Sequence, residues 1–483
     1  MARLPTLRSS VAALAVVLGV FATAPGASAA SEGRTDPVVL AGSAVAELNG
    51  IAPERLVAFG FKRTKNHKHE KWTQIPVQVD QRMFVDFGSE PPTNAAPGST
   101  GTVYGTAPIG YGAMQYADAN TFVGPDPNPA LDGDDEVALI AGDAGDRARK
   151  QTEKPKGTRG AAALRVTVAD PLGGPTRFVY LYESKGSLTG GAGADYVDYA
   201  FKLASGDYKT TYKRADGPNP ETSTITTDGY QAGFSDRWYY DRLAIKAGGA
   251  SNVDILDGFK FSFGPTSCAR SEATFNDAEG AFVANIDGPV RAIRSYVGAN
   301  SGPLTERTNY FYPDRHLIVT DLRVHPVPGP LTYHDLSAAG IGMTYLDSTN
   351  PGGVPVDGVP DALNTALPSW HLWSGPQGSL WSADRVDSSF KDQLMAAASL
   401  WYLDDSTPAP NLQCWGDAEA YGQAGIRSSY SMPNTDPRGN PVATLHEMTT
   451  DIPSAPGMTA AAADQLSRGL DAPLEASVKP LAD

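Results

Sequence analysis

Short runs in which apolar and polar residues alternate recur along most of the chain. LRVTVAD (164–170), RFVYLYES (177–184), FKFSFGP (259–265), VRAIRSYVG (290–298) and HLIVTDLRVHPV (316–327) place β-branched and aromatic residues at a period of two, the mark of strands with one face turned inward. The 50 Gly and 38 Pro fall mostly between such runs. Turns therefore recur roughly every ten to fifteen residues, which predicts a mainly β chain folded as a large sandwich or barrel. Helical patterns come late. SSFKDQLMAAASLWYLDD (388–405) opens on a serine cap and sets Phe390, Leu394, Met395 and Trp401 near one face, and MTAAAADQLSRGL (458–470) is alanine-rich. Both are expected as peripheral helices outside the sheets.

The segment GDAGDRARKQTEKPKGTRG (142–160) is charged and nearly free of large apolar side chains, so it is expected as an exposed loop or linker. It divides an N-terminal β lobe, 30–141, from a main β domain with the C-terminal helices, 161–483; one intertwined β domain fits the length as well. At the start of the chain, Arg3 and Arg8 precede the apolar run VAALAVVLGVFATA and the small residues Ala27, Ser28 and Ala29. That is the anatomy of a signal peptide spanning 1–29. No other run reaches the roughly 18 apolar residues of a membrane span. The expectation is a secreted, extracellular protein with no membrane insertion.

Export changes the meaning of the two cysteines. In an oxidising compartment Cys268 and Cys414 are expected as a disulfide closing a loop of about 146 residues, for which chain entropy gives on the order of 5 kcal/mol. Two separate thiols is the alternative, because sequence does not place their Cβ atoms within bonding range. The net charge of -15 argues against nucleic acid, whose phosphates need a basic stripe.

Candidate chemistry begins with DPNPALDGDDEV (126–137), where acidic residues crowd the mouth of a strand. Calcium takes six to eight oxygens from Asp and Asn side chains at alternate positions, with Gly letting the backbone turn. Asp126, Asn128, Asp132 and Asp134 fit that pattern, and Asp135 or Glu136 would add further oxygens. A solvated acidic turn is the other reading. His67 and His69 share a strand face but sit among lysines, as in a hydrated hairpin tip. In residues 287–321, Arg294 and Tyr296 share a face, and Arg307, Tyr310 and His316 arrive on the next strand. Such a set would line a groove for sugar hydroxyls or a carboxylate, or would form cross-strand stacking pairs. Trp370, Trp373 and Trp381 lie in a Gly/Ser-rich stretch expected as a loop, the best cleft wall on the chain. There is no G-x-S-x-G, H-E-x-x-H, P-loop or dinucleotide fingerprint.

At IPVQVDQR (75–82), DGDDEVALIAGD (132–143) and DGPVRAIRSY (287–296) the chain resembles secreted bacterial proteins of the galactose-mutarotase-like supersandwich type. The resemblance implies a large two-sheet β fold whose concave face handles carbohydrate, sometimes through histidine, tyrosine and arginine in lyase, hydrolase or epimerase chemistry. The resulting expectation is a calcium-stabilised protein that cleaves extracellular carbohydrate as a polysaccharide lyase or glycoside hydrolase. In a uronate lyase Arg294 or Arg307 would neutralise the substrate carboxylate and Tyr310 or His316 would move the proton. A hydrolase would use two carboxylates that meet only in three dimensions. A noncatalytic glycan-binding or cell-surface protein is the alternative.

Overall fold

A computed structural model describes residues 33–63, 70–86, 112–150, 152–204, 207–209, 221–263, 280–298, 305–322, 327–388, 390–413, 417–433 and 445–481. The chain is mainly β, as the alternation predicts, and its centre is a nine-stranded antiparallel sheet. Across that sheet the strands run Gly280–Ile286, Ala292–Gly298, Thr305–Tyr312, Arg315–Leu322, Leu445–Ser454, Gly378–Ser388, His371–Gly375, Thr344–Asp347 and Asn350–Pro355. Burial along Arg315–Leu322 alternates strictly, with His316, Ile318, Thr320 and Leu322 inward. Ala292–Gly298 is buried on both faces, because layers pack on either side of it.

Two four-stranded sheets cover the inner face. One has the order Leu256–Ser262, Leu331–Leu336, Ala420–Ser428, Ala398–Asp405; the other runs through Asp198–Ala200, Ser223–Thr226, Tyr230–Phe234 and Tyr240–Ile245. The main core lies between these layers and joins Phe259, Leu336 and Ala424 to Phe311, Ile318, Tyr345 and Trp373.

The N-terminal layer packs on the opposite, outer face, where Ala138 and Ile140 meet Val290 and Tyr312. Its five-stranded sheet has the order Glu475–Pro480, Thr158–Ala169, Arg177–Ser184, Leu56–Lys62, Lys71–Ile75. This sheet draws strands from both sides of 142–160 and from the end of the chain. The segment expected as a linker thus leads directly into a central strand of the N-terminal layer, and the layer is not confined to residues before 142. Gly288 marks the junction, since a Cβ there would meet the Gln78 amide at 2.4–2.5 Å.

The late helical patterns divide. Ala460–Asp471 is a helix capped by Thr459, whose hydroxyl accepts from Ala462 N. The run 388–405 holds only the short helix Lys391–Ala396, followed by the strand Ala398–Asp405, so Trp401 is a strand residue. Pairing with Ala420–Ser428 over the length of ASLWYLDD overrides its local helical pattern.

Candidate functional site

Cross-strand register builds a polar row on the inner face of the large sheet. His316 pairs with Asp451, Asp451 with Ser382, Ser382 with His371, and His371 with Asp347. Directly paired residues share a face, so these side chains form one line across five strands. Asp384 and Glu447 continue the polar face two and four positions along: Asp384 pairs with Thr449, while Glu447 pairs with Thr320 and Val386. From the facing sheet, His334 reaches in and places Nε2 2.9 Å from Asp451 Oδ2. Every one of these residues is withdrawn from solvent except Asp384, which is partly exposed.

Burial and partners set the protonation states. Burial lowers His334, but the Asp451 carboxylate outweighs it and holds the imidazolium above its usual range. Burial likewise raises Asp451, and His334 brings it below the ordinary carboxyl value. Neither force balance rescues the two neighbouring imidazoles: burial lowers His316 to about 3 and His371 to about 4, so both are neutral at pH 7. Burial and then the charge of Asp384 push Glu447 up to about 8. Burial pushes Asp384 up to about 6, with Thr449 donating a hydrogen bond to its Oδ1 at 2.5 Å. At neutral pH the pair therefore divides into a protonated Glu447 and an ionised Asp384.

Glu447 lies at the wall of a small cleft whose lining includes Thr332, Val386, Leu394, Met395 and Ser428. The helix Lys391–Ala396 supplies Leu394 and Met395. Its last turn is tied down by Ser428, whose hydroxyl donates to Leu394 O at 2.8 Å.

The four expected catalytic residues do not form one pocket. Tyr310 pairs with Ile293 and Leu317 on the outer face, where its hydroxyl meets that of Tyr116 at 3.3 Å. Arg294 and Arg307 are inner-face residues with His316, yet Arg294 is taken up by Glu221, with Nη1 3.1 Å from Oε2 and 2.9 Å from the Tyr199 hydroxyl. Phe234 and Phe282 flank its guanidinium. Arg307 lies between the rings of Trp238 and Phe259, with Nε donating to Thr320 Oγ1 at 3.1 Å. His316 stacks on Phe311 at 4.0 Å and contacts Asn309 Oδ1 through Nε2 at 2.9 Å.

The tryptophans are a further correction. Trp373 and Trp381 lie within strands and Trp370 directly precedes one; all three are at most 1% exposed. Trp370 donates to Asp464 Oδ1 and Trp373 to Gly422 O, at 2.9 and 2.7 Å. Their Gly and Ser neighbours occupy the tight turn between paired strands, which accounts for the loop-like composition. They are core residues here, without the exposed face a sugar platform requires.

In the acidic loop, Asp132, Asp134 and Asp135 bring carboxylate oxygens within 4.8 Å of one another. Asn128 Nδ2 donates to Asp132 Oδ2 at 2.5 Å, and Asn128 N to Asp126 Oδ1 at 2.8 Å. Asp126 Oδ2 is buried without a hydrogen-bond partner among the described residues. Glu136 points elsewhere, held by Arg82 at 2.8 Å and Arg291 at 2.6 Å. Strand alternation explains the exchange: Asp135 faces the loop and Glu136 the opposite side. Cys268, Cys414, His67 and His69 lie outside the described residues.

No protein family and no curated protein matches the chain. Among solved structures, an Escherichia coli K12 protein provisionally named an aldose 1-epimerase aligns at 10% identity over 53% of this chain and 100% of its own, with a TM-score of 0.25. It is a neighbour of the kind that the sequence resemblance names, but it superposes too loosely to carry an argument.

Proposed function

We propose that this protein is a secreted hydrolase of extracellular carbohydrate, with Glu447 as the general acid and Asp384 as its ionised partner. The observation that supports this reading is the divided carboxyl pair on adjacent strands, with Glu447 at the wall of a cleft. Glycosidic bonds break by protonation of the leaving oxygen while a second carboxylate serves as base or nucleophile. A carboxyl pushed up to about 8 holds the proton to be donated at pH 7, and one near 6 has lost its own. His334 and Asp451 beside Asp384 would hold the electrostatic field of the site, and neutral His316 and His371 add no competing charge.

For a lyase, Arg294 is committed to Glu221 and Tyr310 faces away, which leaves Arg307 and His316 on the inner face as the arginine and proton carrier that reading would need. Calcium belongs to the proposal as a stabiliser of the loop 126–135, held by Asp132, Asp134 and Asp135 with Asp126 beside them.

The test is a panel of soluble polysaccharides and aryl glycosides assayed with the wild type, Glu447→Gln and Asp384→Asn. The expected result is hydrolysis that falls by about 10²–10⁴ in each variant with binding retained. Binding of a glycan by the wild type with no turnover would favour the noncatalytic alternative. Unchanged turnover in both variants would remove this carboxyl pair as the active site.

A further inference from the structure

On the far side of the inner four-stranded sheet, away from the carboxyl pair, a lysine is buried among acids. Lys260 is 2% exposed, and Asp335 and Asp417 are at most 1% exposed. Lys260 Nζ donates to Asp335 Oδ2 at 2.6 Å and also to Asp417 Oδ1. Tyr333 donates its hydroxyl to Asp417 Oδ2 at 2.8 Å. Asp335 Oδ1 is buried with no hydrogen-bond partner among the described residues. The register explains the grouping: Lys260 on the edge strand pairs with Tyr333, and Asp335 pairs with Gly258, so all three side chains leave the second face of the sheet together. Asp417 enters just before the third strand.

We propose that Lys260 and Asp417 form an intramolecular isopeptide bond, with Asp335 as the proton shuttle. One ammonium facing two buried carboxyls leaves one of them protonated, and burial pushes the Asp335 carboxyl well above its usual range. Burial lowers Lys260, but the flanking carboxylates hold it well above its usual range, so the ammonium is the resting form. The reactive amine arises transiently, when its proton passes to the remaining carboxylate and leaves a neutral amine between two neutral carboxyls. Nζ then attacks Asp417 Cγ, while the Tyr333 hydroxyl supports the oxygen that gains negative charge. Asp335 takes a proton from Nζ and returns it to the departing hydroxyl. The Nζ–Cγ bond forms, a Cγ–O bond breaks, water leaves, and Asp335 ends as it began. No oxidant or cofactor is involved, and no atom changes oxidation state. The bond would clamp the first strand of the sheet to the entry of the third across the second.

Three neighbouring oxygens also make Asp257, Asp335 and Asp417 a geometric candidate for a cation, but the Lys260 ammonium already occupies their centre.

Mass spectrometry tests the bond on the folded wild-type protein, digested after reduction and alkylation so that a Cys268–Cys414 bridge cannot hold peptides together. The expected product is one branched peptide joining Lys260 to Asp417, lighter by one water than its two linear parts. Lys260→Arg keeps the charge and should return both linear peptides, and Asp335→Asn should leave the ends unlinked. Separate linear peptides bearing Lys260 and Asp417 from the folded wild type would overturn the bond, whatever the variants do. Full linkage in Asp335→Asn would overturn the shuttle.

Discussion

Arg291 and Asp80, 211 residues apart in the chain, meet in a buried ion pair in which Nε and Nη2 lie 2.9 and 2.7 Å from the same Asp80 oxygen. Arg291 also reaches Glu136 at 2.6 Å and the Tyr312 hydroxyl at 3.0 Å, and lies over the rings of Tyr116 and Tyr310. Gln78 completes the junction by accepting from Val290 N and Arg291 N, both at 3.0 Å. This guanidinium is thus one buried tie between the N-terminal layer and the outer face of the large sheet, beside others such as Arg315 with Asp36 at 2.8 Å.

Removing one partner strands a charge in that junction, so Arg291→Met or Asp80→Leu alone should each cost about 3–5 kcal/mol. The double replacement should cost less than the sum, because it removes both desolvated charges together. Urea unfolding of the four proteins in the cycle checks this. Additive losses would mean that the two residues stabilise the fold independently.

The three stretches that meet at Arg291 were visible as motifs in the sequence, and the polar face of IPVQVD was a legible sign that Gln78 and Asp80 face a partner. Which partner was not legible, since strand alternation fixes a face but not the layer that packs on it. The same limit explains Arg294, whose inward direction could be read while Glu221 could not. The tryptophans misled through their neighbours: Gly and Ser serve a tight strand turn as readily as a surface loop. For the carboxyl pair a signal existed. Glu447, Thr449 and Asp451 alternate along LHEMTTDIPS as a polar face of period two, which marks a strand turned towards other polar groups. Asp384 comes from a strand more than sixty residues earlier in the sequence and joins them only through the sheet register.

The raised Glu447 carboxyl makes stability depend on pH with a definite sign. Its folded value, about 8, lies above the ordinary glutamate value of 4.5, so the native state binds the extra proton between those limits. Its contribution is fully present below the unfolded value and is lost as pH rises through about 8. Glu447→Gln should flatten the stability profile over that window by about 1.4 kcal/mol per pH unit, the weight of one proton. Denaturant titrations at several pH values measure it. If the carboxyl pair is also catalytic, kcat/KM should show limbs near 6 and 8, and the variant should lose the alkaline one. Parallel stability profiles for the two proteins would show that Glu447 titrates alike in both states.

Trp373 separates a core from a binding platform. Its indole packs in the main core against Tyr345 and His334 and is fully buried. Trp373→Ala should therefore cost about 3–5 kcal/mol, read as a fall in the thermal midpoint. Full stability with lost glycan affinity would instead return the indole to the role of an exposed platform.

Calcium provides the last test, because the structure changes which residues of the loop proposed to hold it could serve as ligands. Asp132 and Asp134 share the mouth of the strand with Asp135, whose carboxyl burial pushes up to about 6. Backbone N–H groups of Asp132 and Arg82 already hold both Asp135 oxygens, at 2.9 and 3.0 Å, which fixes the carboxylate in place for a further ligand. A cation binding the native loop stabilises it by mass action, about 2.7 kcal/mol when free calcium is a hundredfold above Kd. The thermal midpoint should rise with calcium and fall with chelator, and magnesium should substitute poorly because it demands a tight octahedral site. Asp134→Ala should weaken the response, while a Glu136→Gln variant should leave it intact, since Glu136 serves Arg82 and Arg291 instead. The response should also fade as pH drops through about 6, where protonation of Asp135 competes with the ion. Identical wild-type melts in calcium and chelator, with no calcium in the purified protein by elemental analysis, would reduce residues 126–135 to an acidic turn.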